Sequence, residues 1–135
     1  MAVVKELLRT EANNTLSFGD YTLDAKAKVE DYEFGGNLYK VKTFKEITKL
    51  ERDGAFVYES VPGTAVTEFK ATEGGVEFSV CGDKDAEITI ELSENTEYEV
   101  NIAGRASKMN TGISGKLSFS VNLEGEDEVK VAITK

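Results

Sequence analysis

From Val76 onward the chain alternates apolar and polar residues with a period of two, and that rhythm dictates strands. "VEFSV" (76–80), "AEITIEL" (86–92), "YEVNI" (98–102), "LSFSVNL" (117–123) and "VKVAI" (129–133) all carry it. In an extended strand successive side chains point to opposite faces, so each segment has one apolar face and one wet face. Turn-forming residues separate the runs: Gly74-Gly75, "GDKD" at 82–85, Glu94-Asn95, Gly112 to Gly115, and Gly125. Many short strands at this spacing predict an all-β chain, a two-sheet antiparallel β-sandwich.

The N-terminal half is less regular. "LSFGDYTL" (16–23) reads as a strand, and "LYKVKTF" (38–44) as another after the turn Gly35-Gly36-Asn37. "ITKLERDGAFVYES" (47–60) holds Asp53-Gly54 between two alternating runs, the residues that supply the positive φ angles of a two-residue hairpin turn. In "VVKELLRT", Val3, Val4, Leu7 and Leu8 have helical spacing, but no N-cap precedes them, and the segment is read as an edge strand. "SVPGT" (60–64) contains the single proline. It is read as a type II corner, with Pro62 setting the first φ and Gly63 the positive second one. The predicted core is Val41, Leu50, Phe56, Phe69, Val76, Phe78, Ile88, Ile90, Tyr98, Val100, Leu117, Phe119, Val121 and Val131.

Composition narrows function. The 135 residues suit one domain, with N-terminal hairpins over 1–72 and the regular strands over 73–135. There is no histidine, which excludes Ser-His-Asp and Cys-His catalysis and imidazole metal ligation. Cys81 is the only cysteine and ends an apolar alternation, so it is read as a small buried side chain. A net charge of -9 argues against phosphate backbones and anionic membranes as partners. The first residues lack a secretory pattern, and no run of about 18 apolar residues occurs, so a cytoplasmic protein is expected.

Within "LSENTEYEV" (92–100), Leu92, Thr96, Tyr98 and Val100 resemble the fibronectin type III pattern, although that family usually has proline and glycine where Glu94-Asn95 stands here. The resemblance implies an immunoglobulin-like arrangement in the C-terminal half, with the Tyr98 hydroxyl bonded to backbone upstream. "ELLRTEANNTLSFGDYTL", "YKVKTFKEITKLERDG" and "FVYESVPGTAV" resemble a family of short bacterial proteins of uncharacterised function, some named endosialidase-like. Sialidase chemistry needs arginines on a carboxylate, and Arg9, Arg52 and Arg105 are present. Yet 135 residues cannot supply the blades of a β-propeller, so the name fits an accessory module and not the reaction.

The candidate ligand-binding residues are Tyr32, Tyr39 and Tyr58, as a sugar-stacking set, with Arg105 as the anion contact. The acidic runs "GDKDAE" (82–87) and "EGEDE" (124–128) lack the order of a calcium loop and read as solvated hairpin loops. "MNTGISGKLSF" (109–119) reads as an inter-strand loop leading into a strand. The expectation is a non-catalytic interaction or assembly module. It would meet a protein partner or a second copy through sheet edges and exposed apolar faces. A carbohydrate-binding accessory module, with sialic acid as the sugar that the resemblance implies, is the alternative. No cofactor, metal, nucleic acid or membrane is expected.

Overall fold

The computed structural model describes residues 3–72 and 74–135. Among these residues thirteen strands build two antiparallel sheets. They are β1 (Leu8–Thr10), β2 (Leu16–Phe18), β3 (Ala27–Phe34), β4 (Asn37–Phe44), β5 (Ile47–Arg52), β6 (Ala55–Val61), β7 (Ala65–Thr72), β8 (Gly75–Cys81), β9 (Ala86–Glu91), β10 (Glu97–Ile102), β11 (Arg105–Asn110), β12 (Lys116–Val121) and β13 (Val129–Thr134). One sheet has seven strands in the order β1-β2-β7-β8-β13-β10-β11, and the other has six in the order β12-β9-β6-β5-β4-β3. Both sheets take strands from both halves of the sequence. The two-sheet sandwich is the expected architecture.

Period-two patterning determines which residues are inside. Val76, Phe78, Ile88, Ile90, Val100, Leu117, Val121, Val131 and Ile133 all lie buried between the sheets. At the centre Tyr58 meets Phe18, Phe69 and Phe78 edge to face, with Phe18–Tyr58 centroids 5.2 Å apart and Tyr58–Phe78 5.8 Å apart. Such pairs add about 0.5–1.5 kcal/mol each beyond their burial. Cys81 is buried, as its context indicated.

Turn chemistry sets the register. Asp53 and Gly54 have φ of 50° and 82°, and Arg52 faces Ala55 across them. This is the predicted two-residue hairpin, with positive φ at both central positions as the strand twist requires. The Tyr98 hydroxyl accepts a 3.1 Å bond from the Ser93 backbone N–H, the upstream contact expected for that tyrosine.

Four expectations need correction. Phe56 is only partly buried, because the register shifts between Leu50–Tyr58 and Glu51–Phe56. The extra residue, Val57, turns Phe56 to the outer face, where Lys49 and Lys116 lie over its ring. "LSFGDYTL" is a strand only to Phe18, where Gly19 at φ 99° takes the chain out of the sheet. In "VVKELLRT" only Leu8–Thr10 pairs as an edge strand; Leu7, at φ 71°, ends the irregular segment before it. Finally, the corner at Pro62 is not a type II turn. The Val61–Pro62 peptide is cis, and Gly63 is not among the residues of positive φ. Gly63 is needed for a different reason: a Cβ there would sit 2.1 Å from the carbonyl oxygen of Phe44. That proximity comes with the Gly63 N–H donating to Lys45 O at 3.0 Å.

Candidate interaction face

The expected tyrosine set does not form an exposed platform. Tyr32 and Tyr39 are brought together as cross-strand partners of β3 and β4, but they project inward. Tyr39 is buried edge-on to Phe34, with centroids 5.9 Å apart. The half-buried Tyr32 hydroxyl meets Thr10 Oγ1 at 2.9 Å, joining the β3 and β1 edges of the two sheets. Tyr58 is fully buried in the core. Its hydroxyl bonds Thr64 Oγ1 at 2.8 Å, and burial raises its pKa far above the ordinary tyrosine value. Arg105 is exposed at the start of β11, on the far edge of the other sheet, and joins none of the tyrosines.

What the fold does assemble is a row of lysines. Alternation along β4 buries Tyr39, Val41 and Thr43 and sends Lys40, Lys42 and Phe44 to the outer face of the six-stranded sheet. The register then places Lys28 of β3 opposite Lys42, and Lys42 opposite Lys49 of β5. The same row continues through Glu59, Thr89 and Ser118. Three ammonium groups thus occupy neighbouring positions on three adjacent strands. Like charges directly opposite one another destabilise a sheet. The outer two have carboxylate partners: Lys28 meets Glu30 at 3.1 Å, and Lys49 meets Glu51 at 3.9 Å. Lys28 and Lys40 together hold the Glu30 carboxyl below its usual range. Lys42, in the middle, makes no ion pair among the described residues.

An apolar row runs beside the lysines. Phe44 faces Ile47, and the pairing of Thr48 with Ser60 sets Ile47 next to Val61, which is 51% exposed. Lys26 lies 5.8 Å above the Phe44 ring, extending the cationic border of this row. The corner at Pro62 and Gly63 closes it.

Beneath that corner is a buried hydroxyl network. Thr64 Oγ1 meets Tyr58 Oη at 2.8 Å and Ser60 Oγ at 2.7 Å. Thr48 Oγ1 donates to Thr64 O at 2.8 Å, accepts from Thr64 N–H at 3.1 Å and meets Thr43 Oγ1 at 2.8 Å. All five side chains are fully buried. The face is therefore mounted on strands held from beneath by polar contacts as well as by the apolar core.

Away from this face the described residues also form concavities. At one end of the sandwich a cleft of about 520 Å³ has a mixed lining, with Phe34, Tyr39 and Phe69 beside Arg52, Lys70 and Glu91. On the outer face of the seven-stranded sheet an open groove of about 560 Å³ carries Asn13, Glu68, Glu77, Asn101 and Lys130 around Ser79. The acidic loops that follow β8 and β12 are tied together, since Asp85 Oδ1 accepts the backbone N–H groups of Leu123 and Glu124. Among the described residues no group of three or more His, Cys, Asp or Glu side chains could hold a metal ion. No helix among the described residues is long and apolar enough to cross a membrane.

The lysine row was partly legible in the sequence. "KTFKEITK" (42–49) is a two-strand stretch around the tip Lys45-Glu46, which puts Lys42 opposite Lys49 once the tip is recognised. Lys28 depends on the register across the β3 irregularity, which no local pattern specifies. Comparison with known protein families, with curated proteins and with solved structures returns no match for this chain.

Proposed function

We propose that the protein is a non-catalytic interaction module that docks an acidic, partly apolar polypeptide segment on the outer face of its six-stranded sheet. The observation that carries this reading is the Lys28–Lys42–Lys49 row in a chain of net charge -9. A carboxylate laid across Lys42 would convert two repulsive neighbours into a chelating pair, and the Phe44–Ile47–Val61 row would take the segment's apolar side chains. An apolar strip beside cations suits a polypeptide better than a uniformly polar polyanion.

The test is fluorescence anisotropy with a labelled peptide of alternating glutamate and leucine, titrated at low and high salt. Binding that weakens with salt is expected, together with its loss in the Lys42→Glu/Lys49→Glu double variant and its retention in Lys108→Glu on β11. Equal binding by wild type and the double variant would sink the proposal.

A second reading, carbohydrate binding, is favoured by the groove on the seven-stranded sheet. Its amides, carboxylates and ammonium groups are the donors and acceptors that sugar hydroxyls use. No tyrosine lines it, so recognition there would rest on hydrogen bonds. A glycan array with wild type and Asn101→Ala decides this reading.

A further inference from the structure

The two sheets end in four edge strands, and these edges are unequal. β1 is three residues long, and its Arg9 is held by Glu11 at 2.8 Å. β3 is broken by the register shift between Val29 and Tyr32, with Asp31 at φ 55°, and carries Lys28, Glu30, Asp31 and Glu33. β11 bears Lys108 on one row and Arg105 on the inward row that it shares with Met109. Short length, a bulge and charge, including inward-facing charge, are the devices by which sheets prevent edge-to-edge pairing.

β12 has almost none of them. It pairs with β9 in unbroken register from Lys116–Glu91 to Val121–Ala86. It contains no proline, and its one charge is at its first residue. Its inward side chains, Leu117, Phe119 and Val121, are buried, so the strand is firmly held. Its outward side chains after Lys116 are the small hydroxyls Ser118 and Ser120. Immediately before it, the 3₁₀ turn Gly112–Ser114 displays Ile113 at 85% exposure. That turn is pinned, because Gly112 O accepts from Asn95 N–H and Gly115 O from Leu92 N–H, both at 2.7 Å.

We infer that β12 is a self-pairing edge, at which a second copy of this chain adds its own β12 antiparallel about a two-fold axis near Ser118. In that register Lys116 faces Ser120 and Leu117 faces Phe119, so no like charges meet and the inward and outward rows remain aligned. The isologous pair is closed. It joins two six-stranded sheets into one continuous sheet. Each Ile113 lies beyond one end of the paired strands, beside the partner's segment after Val121, and loses its exposure there. A short strand pair makes a small interface, so the association is concentration-dependent.

Sedimentation velocity over a concentration series tests this directly. Wild type is expected to pass from monomer to dimer. The Ser118→Lys/Ser120→Lys double variant, altered only at outward positions, should stay monomeric with an unchanged circular dichroism spectrum. As a second measurement, Ser118→Cys should cross-link as a dimer on mild oxidation, because residues facing each other in antiparallel strands lie within disulfide reach. Ser107→Cys on β11 should not. A wild type that is monomeric throughout overturns the inference. So does a double variant that dimerises like wild type, or cross-linking as complete at Ser107 as at Ser118. The lysine row is intact in all these variants, so the outcome is independent of the acidic-peptide test.

Discussion

The lysine row implies a conflict between stability and binding that can be measured. In the free protein Lys42 has a lysine directly opposite on each side, Lys28 and Lys49. Each like-charge cross-strand pair costs a few tenths of a kcal/mol, and each opposite-charge pair contributes about 0.2–1 kcal/mol. Lys42→Glu removes two repulsions and creates two attractions, about 1–2 kcal/mol in total before discounts. The discounts are substantial: the Lys28 side chain is 58% exposed and Lys49 33%, so solvent screens both. Diagonal Glu51 now repels, and net charge becomes more negative. A net gain of about 0.5–1 kcal/mol remains, which for a domain of this size moves the urea midpoint up by about 0.3–0.6 M. Lys42→Gln, which only removes repulsion, should give less than half of that. The assay is urea denaturation at low salt, repeated at about 1 M salt, where charges are screened beyond about 3 Å and the gain should largely disappear. A Lys42→Glu protein that is less stable than wild type at low salt, or whose gain survives high salt, would refute the electrostatic reasoning.

Other consequences are as specific. Thr64→Val removes the partner that the buried hydroxyls of Tyr58 and Ser60 share and should cost about 1–3 kcal/mol in urea denaturation, whereas Tyr58→Phe leaves Thr64 bonded to Ser60 and should cost about 1 kcal/mol or less; a larger loss in Tyr58→Phe would show that Thr64 is not the hub. Gly63→Ala drives a methyl into the Phe44 carbonyl and should cost at least about 2 kcal/mol, read as a lower thermal midpoint. Glu11 accepts a hydrogen bond from Ser17 and bonds from Arg9, which hold its carboxyl below the usual value of 4.5. Because the folded-state pKa is the lower one, this contribution is present above about pH 4.5 and is lost as pH falls through the folded pKa. Stability of Glu11→Gln should therefore fall less steeply than that of wild type on acidification below that point; parallel curves would remove Glu11 from the account.

The sandwich was legible because its inner faces are written in period two. Val76, Ile88, Ile90, Val100 and Leu117 went where alternation sent them, and Asp53-Gly54 turned as its chemistry requires. Alternation failed wherever one extra residue intervened. The register shift at Val57 turned Phe56 outward, and nothing in "AFVYES" announces it. β11 was missed because "RASKMN" has no apolar row to show; as an edge strand it needs none. At Pro62 the residue types were right and the geometry was wrong. The space Gly63 leaves is taken by Phe44, nineteen positions earlier in the chain. Tyrosines drew attention as sugar platforms by composition, but burial is decided by which row a residue occupies, and Tyr39 and Tyr58 occupy inward rows. The lysine face is a property of register among β3, β4 and β5, and only the β4–β5 part of it can be read from adjacent sequence.

The place of β13 bears on how the molecule reaches its native state. In the seven-stranded sheet β13 lies between β8 and β10, pairing Val129–Thr134 with one and Val131–Thr134 with the other. Until it inserts, that sheet is two separate pieces, β1-β2-β7-β8 and β10-β11, with open edges facing each other. Its partner β8 begins more than forty residues earlier, so the insertion closes a long loop and depends on non-local pairing, the slow kind of folding step. The six-stranded sheet has no such dependence for its β3 to β6 meander, whose hairpins are local. Folding is therefore expected to start in that meander and to finish with β13 as the keystone. During that interval the exposed edges of β8 and β10 are where a misfolded or strand-exchanged species would arise.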